Sequence, residues 1–249
     1  MHILFREIIN NIRLTHRDIA YYLGLLEEAD LSDIHYGYWH KKPTERISYK
    51  HFANAQKRLS ALAVSFIPRN YKNVLDIGGG VGGFSHYLTY KGYSPVCIVP
   101  DKNLINFGIA HFHNCKFFLG SAEYFKIKNK SDAAFLFESL QYFTNKERAL
   151  KNIYNHLKMN GRIIIIDEFF NSKKYGLMND AFLIEFLTKR GFTLIDNLDI
   201  TNRIIPTCDF IINYSCGKQN EIFKMWTDKK LDYLNKTLSY RIIIFDKIS

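Results

Sequence analysis

The chain has 249 residues, 47% of them hydrophobic and 23% charged, which excludes collagen-like, fibrous and disordered readings. Lys and Arg number 34 against 24 Asp and Glu, a formal charge of +10. That surplus brings nucleic acid, an anionic membrane and an anionic substrate into view as partners without selecting one. Four cysteines with no CxxC pair argue against a disulfide scaffold, and no apolar run approaches the roughly 18 residues of a membrane span. The opening Met1-His2-Ile3-Leu4-Phe5-Arg6-Glu7 carries charge where a signal peptide needs an apolar core. A cytoplasmic protein is expected.

Residues 1–30 place Ile8, Ile9, Ile12, Ile19, Tyr22, Leu23, Leu25 and Leu26 at helical spacing. The stretch from Ser32 to Trp39 reads as a turn, and a second helix runs from about Ser48 to Phe66, ended by Pro68. Beyond it the pattern changes to short apolar runs alternating with helices. Strands are expected at Asn73–Ile77, Pro95–Val99, Cys115–Leu119, Ala133–Phe137, Arg162–Asp167, Phe192–Leu198 and Arg241–Phe245. The helices between them fall at Gly82–Tyr90, Lys102–Ala110, Lys146–Lys158 and Asn179–Lys189. Unbroken apolar strands alternating with helices imply a parallel sheet covered on both faces, an open-sheet α/β fold. Residues 1–70 are read as an N-terminal helical lid, and 71–249 as a core with an insert at about 200–236.

Asp76-Ile77-Gly78-Gly79-Gly80-Val81-Gly82-Gly83 stands between the first core strand and its helix. Ligands in such sheets lie outside the carboxyl ends of the strands. Glycines there let the backbone touch a ligand, and the helix start offers unpaired N–H groups. Gly78-x-Gly80-x-x-Gly83 also satisfies the dinucleotide fingerprint. Asp76, two residues before the first glycine, is placed to take an ammonium group or to hold the turn beneath it. A pyrophosphate would meet that charge unfavourably.

Val74-Leu75-Asp76-Ile77-Gly78-Gly79-Gly80-Val81-Gly82-Gly83-Phe84-Ser85 resembles the first motif of class I methyltransferases that use S-adenosylmethionine. Leu157-Lys158-Met159-Asn160-Gly161 into Arg162–Asp167 is similar to that family's turn into strand five. Phe137-Glu138-Ser139-Leu140-Gln141-Tyr142-Phe143 sits where the family has its motif after strand four. Asp33-Ile34-His35-Tyr36-Gly37-Tyr38-Trp39 resembles the N-terminal segment of the small-molecule branch, which includes tocopherol, sugar and polyketide methyltransferases. The resemblance implies a Rossmann-like, seven-stranded, mostly parallel sheet whose last strand is antiparallel. It further implies that Asp76, Gly78 and Gly80 hold the methionine end of S-adenosyl-L-methionine, and that Tyr36 and Trp39 belong to a lid over cofactor and acceptor.

The chain departs from the family at two places. Val99 stands where an acid binding both ribose hydroxyls usually ends strand two, so the nearest carboxylate, Asp101, either serves the ribose from a shifted turn or caps the next helix. After strand three Gly120-Ser121-Ala122-Glu123 replaces the usual glycine-aspartate-alanine, leaving Ser121 and Ala122 beside the adenine and a neutral contact in place of a charged one.

Methyl transfer asks the protein to position an acceptor and exclude water, and an oxygen acceptor must also lose a proton. The candidates for that proton are His35, the first choice, then Glu138, Tyr142 and Glu168, with His40 from the lid; Glu138 is expected to touch the cofactor or a water rather than to act as the base. Walls from the lid, from Glu168–Met178 and from the 200–236 insert are rich in Phe, Ile, Tyr and Met with Trp226, which suits a flat or hydrophobic small-molecule acceptor. A nucleic-acid methyltransferase is disfavoured, because Phe137-Glu138-Ser139-Leu140 lacks the acid-or-asparagine, proline, proline, aromatic motif of enzymes that modify base amino groups. A cofactor-binding protein of this fold without transfer chemistry and a nicotinamide oxidoreductase remain as rivals. No metal site is expected, and a homodimer is left open.

Overall fold

A computed structural model of the chain describes residues 24, 26, 31–218 and 220–248, so the helix read over 1–30 lies almost wholly outside the described residues. The first element, α1, spans Tyr49–Ser65, capped by the Ser48 hydroxyl and burying Phe52, Ala55, Leu59 and Ala63 at helical spacing. The core then alternates. Strand β1 (Asn73–Ile77) leads to α2 (Gly83–Tyr90), β2 (Ser94–Val99) to α3 (Lys102–His111), and β3 (Phe117–Leu119) to β4 (Ser131–Phe137). Helix α4 (Lys146–His156) precedes β5 (Leu157–Phe170), and α5 (Asp180–Thr188) precedes β6 (Phe192–Asp199). The insert forms two helices, α6 (Thr201–Ser215) and α7 (Asn220–Leu234), before β7 (Leu238–Lys247).

The strands lie in the order β3-β2-β1-β4-β5-β7-β6, with β7 antiparallel to both its neighbours and the pairs among β1 to β5 parallel. Alternation along the strands decides which face each residue covers. Ile164, Ile166, Phe135 and Ile242 pack with α1, α2, α6 and α7, while Ile163, Ile165, Leu136 and Phe245 pack with α4 and α5. Both faces are apolar, which is why the strands read as unbroken hydrophobic runs. The chain leaves β1 toward β2 and β3, then returns to β4 on the other side of β1. The crevice at this reversal of strand order sits at the carboxyl ends of β1 and β4.

Two differences from the expected boundaries have local causes. Helix α4 stops at His156 because Leu157 is already extended, and β5 starts there rather than at Arg162. The residues between form a bulge, in which Asn160 takes φ +58° and the pairing with β4 shifts register between Ser131 and Ala133. The stretch read as a turn is a strap without regular structure over residues 31–48, backed by α1 where the second N-terminal helix was expected.

The strap is tied down by hydrogen bonds. The Gln56 side-chain amide donates to the carbonyls of Asp33 (2.9 Å) and His35 (2.7 Å). The Tyr38 N–H donates to Ala55 O and the Trp39 N–H to Arg203 O, each at 2.8 Å. Thr207 Oγ1 on α6 accepts from both the Gly37 N–H and the Trp39 indole N–H at 3.0 Å. No helix among the described residues is long and apolar enough to cross a membrane.

Thr207→Val keeps the shape of a side chain that is 1% exposed but strands two buried donors. It is expected to lower stability by about 2–4 kcal/mol in urea denaturation, whereas Thr207→Ser, which keeps the acceptor, costs about 1 kcal/mol or less.

Candidate active site

A cavity of about 510 Å³ opens at the reversal of strand order, roofed by the strap and walled at one end by α6 and α7. That is the size of a small-molecule or cofactor site. Its floor is the glycine turn. Gly78 has φ +75°, and a Cβ there would lie 2.6 Å from Ser139 Cβ, so the turn closes only with glycine. Gly83 opens α2, and a Cβ on it would stand 1.7 Å from the Ser32 carbonyl oxygen. Glycine here lets the strap lie against the helix start. Helix α2 has no side-chain cap, unlike α1, α3, α4 and α5.

Asp76, at the end of β1, lines this floor and is 1% exposed. Its Oδ2 accepts from the Ser85 hydroxyl at 2.7 Å, while Oδ1 is buried with no hydrogen-bond partner among the described residues. Burial pushes its pKa up to about 7, against the relief given by the Ser85 hydroxyl, and the nearby Asp33 carboxylate adds to the rise. Gly78 and Gly80 line the same floor. At the far side, Asp101 lines the cavity and caps α3, its Oδ1 accepting the Asn103 N–H at 2.7 Å. Val99 and Pro100 lie next to it, and Ser121, Ala122 and half-exposed Tyr142 complete that end.

The other end holds a polar cluster. Glu138 follows β4 with φ +52°, a conformation that a non-glycine residue adopts only when its surroundings hold it there. Its Oε1 accepts from the Tyr36 N–H at 2.7 Å and the Tyr240 hydroxyl at 2.5 Å, and Oε2 has no hydrogen bond among the described residues. Burial holds the Glu138 carboxyl well above the usual carboxylate range despite those two donors. Glu168, at the end of β5, accepts on Oε1 from Tyr36 (2.6 Å), Tyr233 (2.7 Å) and the Lys229 ammonium (3.0 Å). Burial alone would raise its pKa, but Lys229 and the two tyrosines outweigh it and hold the carboxyl low. Between these clusters Asp167 takes N–H donors from Leu140 and Glu168 at 2.8 Å and is pushed by burial up to about 7. Phe52, Ile211, Met225 and Trp226 supply the apolar wall.

Two expected site residues stand differently from the sequence reading. Both ring nitrogens of His35 are engaged, Nδ1 with Tyr36 O at 2.6 Å and Nε2 with Ser60 Oγ at 2.9 Å, and its ring stacks on Phe137. It lines the cavity as a packed, bonded side chain. Trp39 does not line the cavity. Its indole is buried against α1 and α6 by the bond to Thr207, and it supports the strap from behind. His40 is likewise outside the lining.

Asp33, Lys229 and Tyr240 escaped the sequence reading. Lys229 had a readable signal: Trp226, Lys229 and Tyr233 share one face of α7 at helical spacing, which places a cation on a buried face. Tyr240 and Asp33 offered none of comparable strength.

A family model described as a methyltransferase domain matches residues 46–201. Among solved structures the chain is similar to the 4+2 cyclase SpnF, at 19% identity over 90% of this chain and 93% of that one, with a TM-score of 0.72. It is similar to the O-methyltransferase of a trans-AT polyketide synthase multienzyme of Brevibacillus brevis in complex with S-adenosyl-L-homocysteine (16%, 86% and 84%, TM-score 0.70). It is also similar to geranyl diphosphate C-methyltransferase of Streptomyces coelicolor in complex with Mg2+, geranyl diphosphate and S-adenosyl-L-homocysteine (14%, 95% and 99%, TM-score 0.73). At these identities the likeness is one of fold. No curated protein sequence matches the chain.

Asp76 holds its proton more tightly in the fold, at about 7, than in an unfolded chain, at about 3.9. Between those values the folded state binds more protons, so this group's contribution to stability falls as pH rises. Ligand-free Asp76→Asn is therefore expected to melt several degrees above the parent at pH 8 (about 2–4 °C per kcal/mol), with the gap closing by pH 4.

Proposed function

The chain belongs to the methyltransferase domain family, and we propose that it transfers a methyl group from S-adenosylmethionine to a small hydrophobic or aromatic metabolite. The observation that carries this reading is Asp76 Oδ1, a buried carboxylate oxygen with no partner on a glycine floor at the reversal of strand order. A buried, unpaired carboxylate costs several kcal/mol and is relieved by a ligand that brings a cation. S-adenosylmethionine has an ammonium group, a ribose and a flat base, and the cavity is lined by Asp76 at the end of β1, Asp101 after β2, and Ser121 and Ala122 after β3, three strands adjacent in that order. The residues fit the group.

When bound, the cofactor supplies an electrophilic methyl carbon on a sulfonium sulfur. Asp76, Gly78 and Gly80 would hold its amino-acid end and Asp101 its ribose. Glu138 is the group that takes a proton from the acceptor nucleophile: burial raises its proton affinity, and Tyr36 and Tyr240 hold Oε1 so that Oε2 is left for the acceptor. The strap and α7 exclude water. Trp226, Met225, Ile211 and Phe52 favour a flat apolar acceptor. The family match ends at residue 201 and begins at 46, so most of the strap and nearly all of the α6–α7 pair, which supply most of the acceptor wall, lie outside it.

A second reading is a protein that holds the cofactor without transferring methyl. It is favoured by Val99 in place of an acid at the end of β2 and by the 4+2 cyclase among the fold neighbours.

Calorimetric titration with S-adenosylmethionine and S-adenosylhomocysteine tests the proposal. Micromolar binding is expected, lost in Asp76→Ala. Because Asp76 is neutral below about pH 7 in the ligand-free protein and must ionise to pair with an ammonium, affinity rises by up to about tenfold per pH unit below 7 and levels off above it. Absence of binding by the intact protein would refute the reading; tight binding without turnover on any acceptor would favour the second.

A further inference from the structure

The strap brings a second carboxylate to the glycine turn. Asp33 lines the cavity beside Ile34 and Asp76. Its Oδ1 accepts the Ile34 N–H at 3.0 Å, and its Oδ2 lies 3.5 Å from His35 Nε2. The same Oδ2 sits over the start of α2, where a Cβ on Gly83 would come within 2.9 Å of it. Asp76 leans on the turn from below, its Oδ2 only 2.4 Å from where a Gly79 Cβ would stand. The two carboxylates bracket the turn closely enough that the charge of Asp33 raises the proton affinity of Asp76, and burial raises Asp33 itself, against the pull of His35. Cys97 and Cys115 are the other titratable groups that feel this pair. Among the described residues the cavity lining holds one Lys or Arg, Lys229, and it is bound to Glu168 at the opposite end. Asp76 is buried and Asp33 partly buried with the His35 ring beside it, and a cation on the ligand would relieve both carboxylates.

We propose that Asp33 is a second cofactor-holding residue, which with Asp76 clasps the ammonium of the ligand's amino-acid end and thereby ties the strap to the glycine turn. The inference rests on the methyltransferase reading, since S-adenosylmethionine and its demethylated product carry that ammonium. The competing role is structural, a cap for the bare start of α2. Asn and Ser cap a helix about as well as Asp, so Asp33→Asn and Asp33→Ser preserve a cap and remove the charge.

Calorimetry with two probes separates the roles: S-adenosylhomocysteine, which has the ammonium, and methylthioadenosine, which lacks the amino-acid end. Both variants are expected to weaken S-adenosylhomocysteine by roughly ten- to a hundredfold, the range for losing a hydrogen bond to a charged group. They should leave methylthioadenosine within about twofold and the melting temperature no lower than the parent's. Parental affinity for S-adenosylhomocysteine in both variants, or equal weakening of the two probes in folded protein, would overturn the clasp while the cofactor reading stands. If the intact protein binds neither probe, the clasp and the cofactor reading fall together.

Discussion

Carboxylates drawn out of water around a single crevice set the terms for the rest of this structure. Asp76, Glu138, Asp167 and Glu168 cluster at the carboxyl ends of β1, β4 and β5, in a chain whose formal charge is +10. Each must find donors or a cation, or stay protonated. Glu168 is satisfied from within by Lys229, Tyr36 and Tyr233. Asp167 is met by backbone N–H groups and binds β5 to the turn after β4. Asp76 is left with an unpartnered oxygen, a cost that the ligand-free fold carries.

The donors that satisfy these acids come from segments remote in sequence, and this is how the strap becomes part of the site. Tyr36 reaches Glu138 through its backbone and Glu168 through its hydroxyl, so one residue of the strap connects the ends of β4 and β5. Its ring packs on Trp226 and Tyr240, which extends the connection to α7 and β7. Thr207 and Gln56 anchor the strap on either side of it. A displacement of the strap would expose the crevice and remove donors from two carboxylates at once.

Much of this was legible in the sequence, for physical reasons. The strands of a sheet buried on both faces are continuous apolar runs, so β1 was expected at the observed residues, Asn73–Ile77. Gly78 and Gly83 announced close approach, and Asp76 announced charge beside it. What stayed hidden depends on contacts made only by folding. Nothing near His35 indicates that Ser60, 25 residues on, occupies its Nε2, and so a ring with no free nitrogen was expected to act as the base. Trp39 sits in a motif that suggests a lid, yet its partner is Thr207, 168 residues away. The strap has the irregular backbone read over Ser32–Trp39, but the tertiary hydrogen bonds that hold it come from residues remote in sequence.

The proposed place of S-adenosylmethionine is the crevice between the strap and the glycine turn. Hydrogen–deuterium exchange with and without saturating S-adenosylhomocysteine tests it most directly. Slowed exchange concentrated in residues 31–40 and 76–85, with β6 unchanged, is the predicted result. Protection elsewhere, or none at a concentration where binding is saturated, would contradict it.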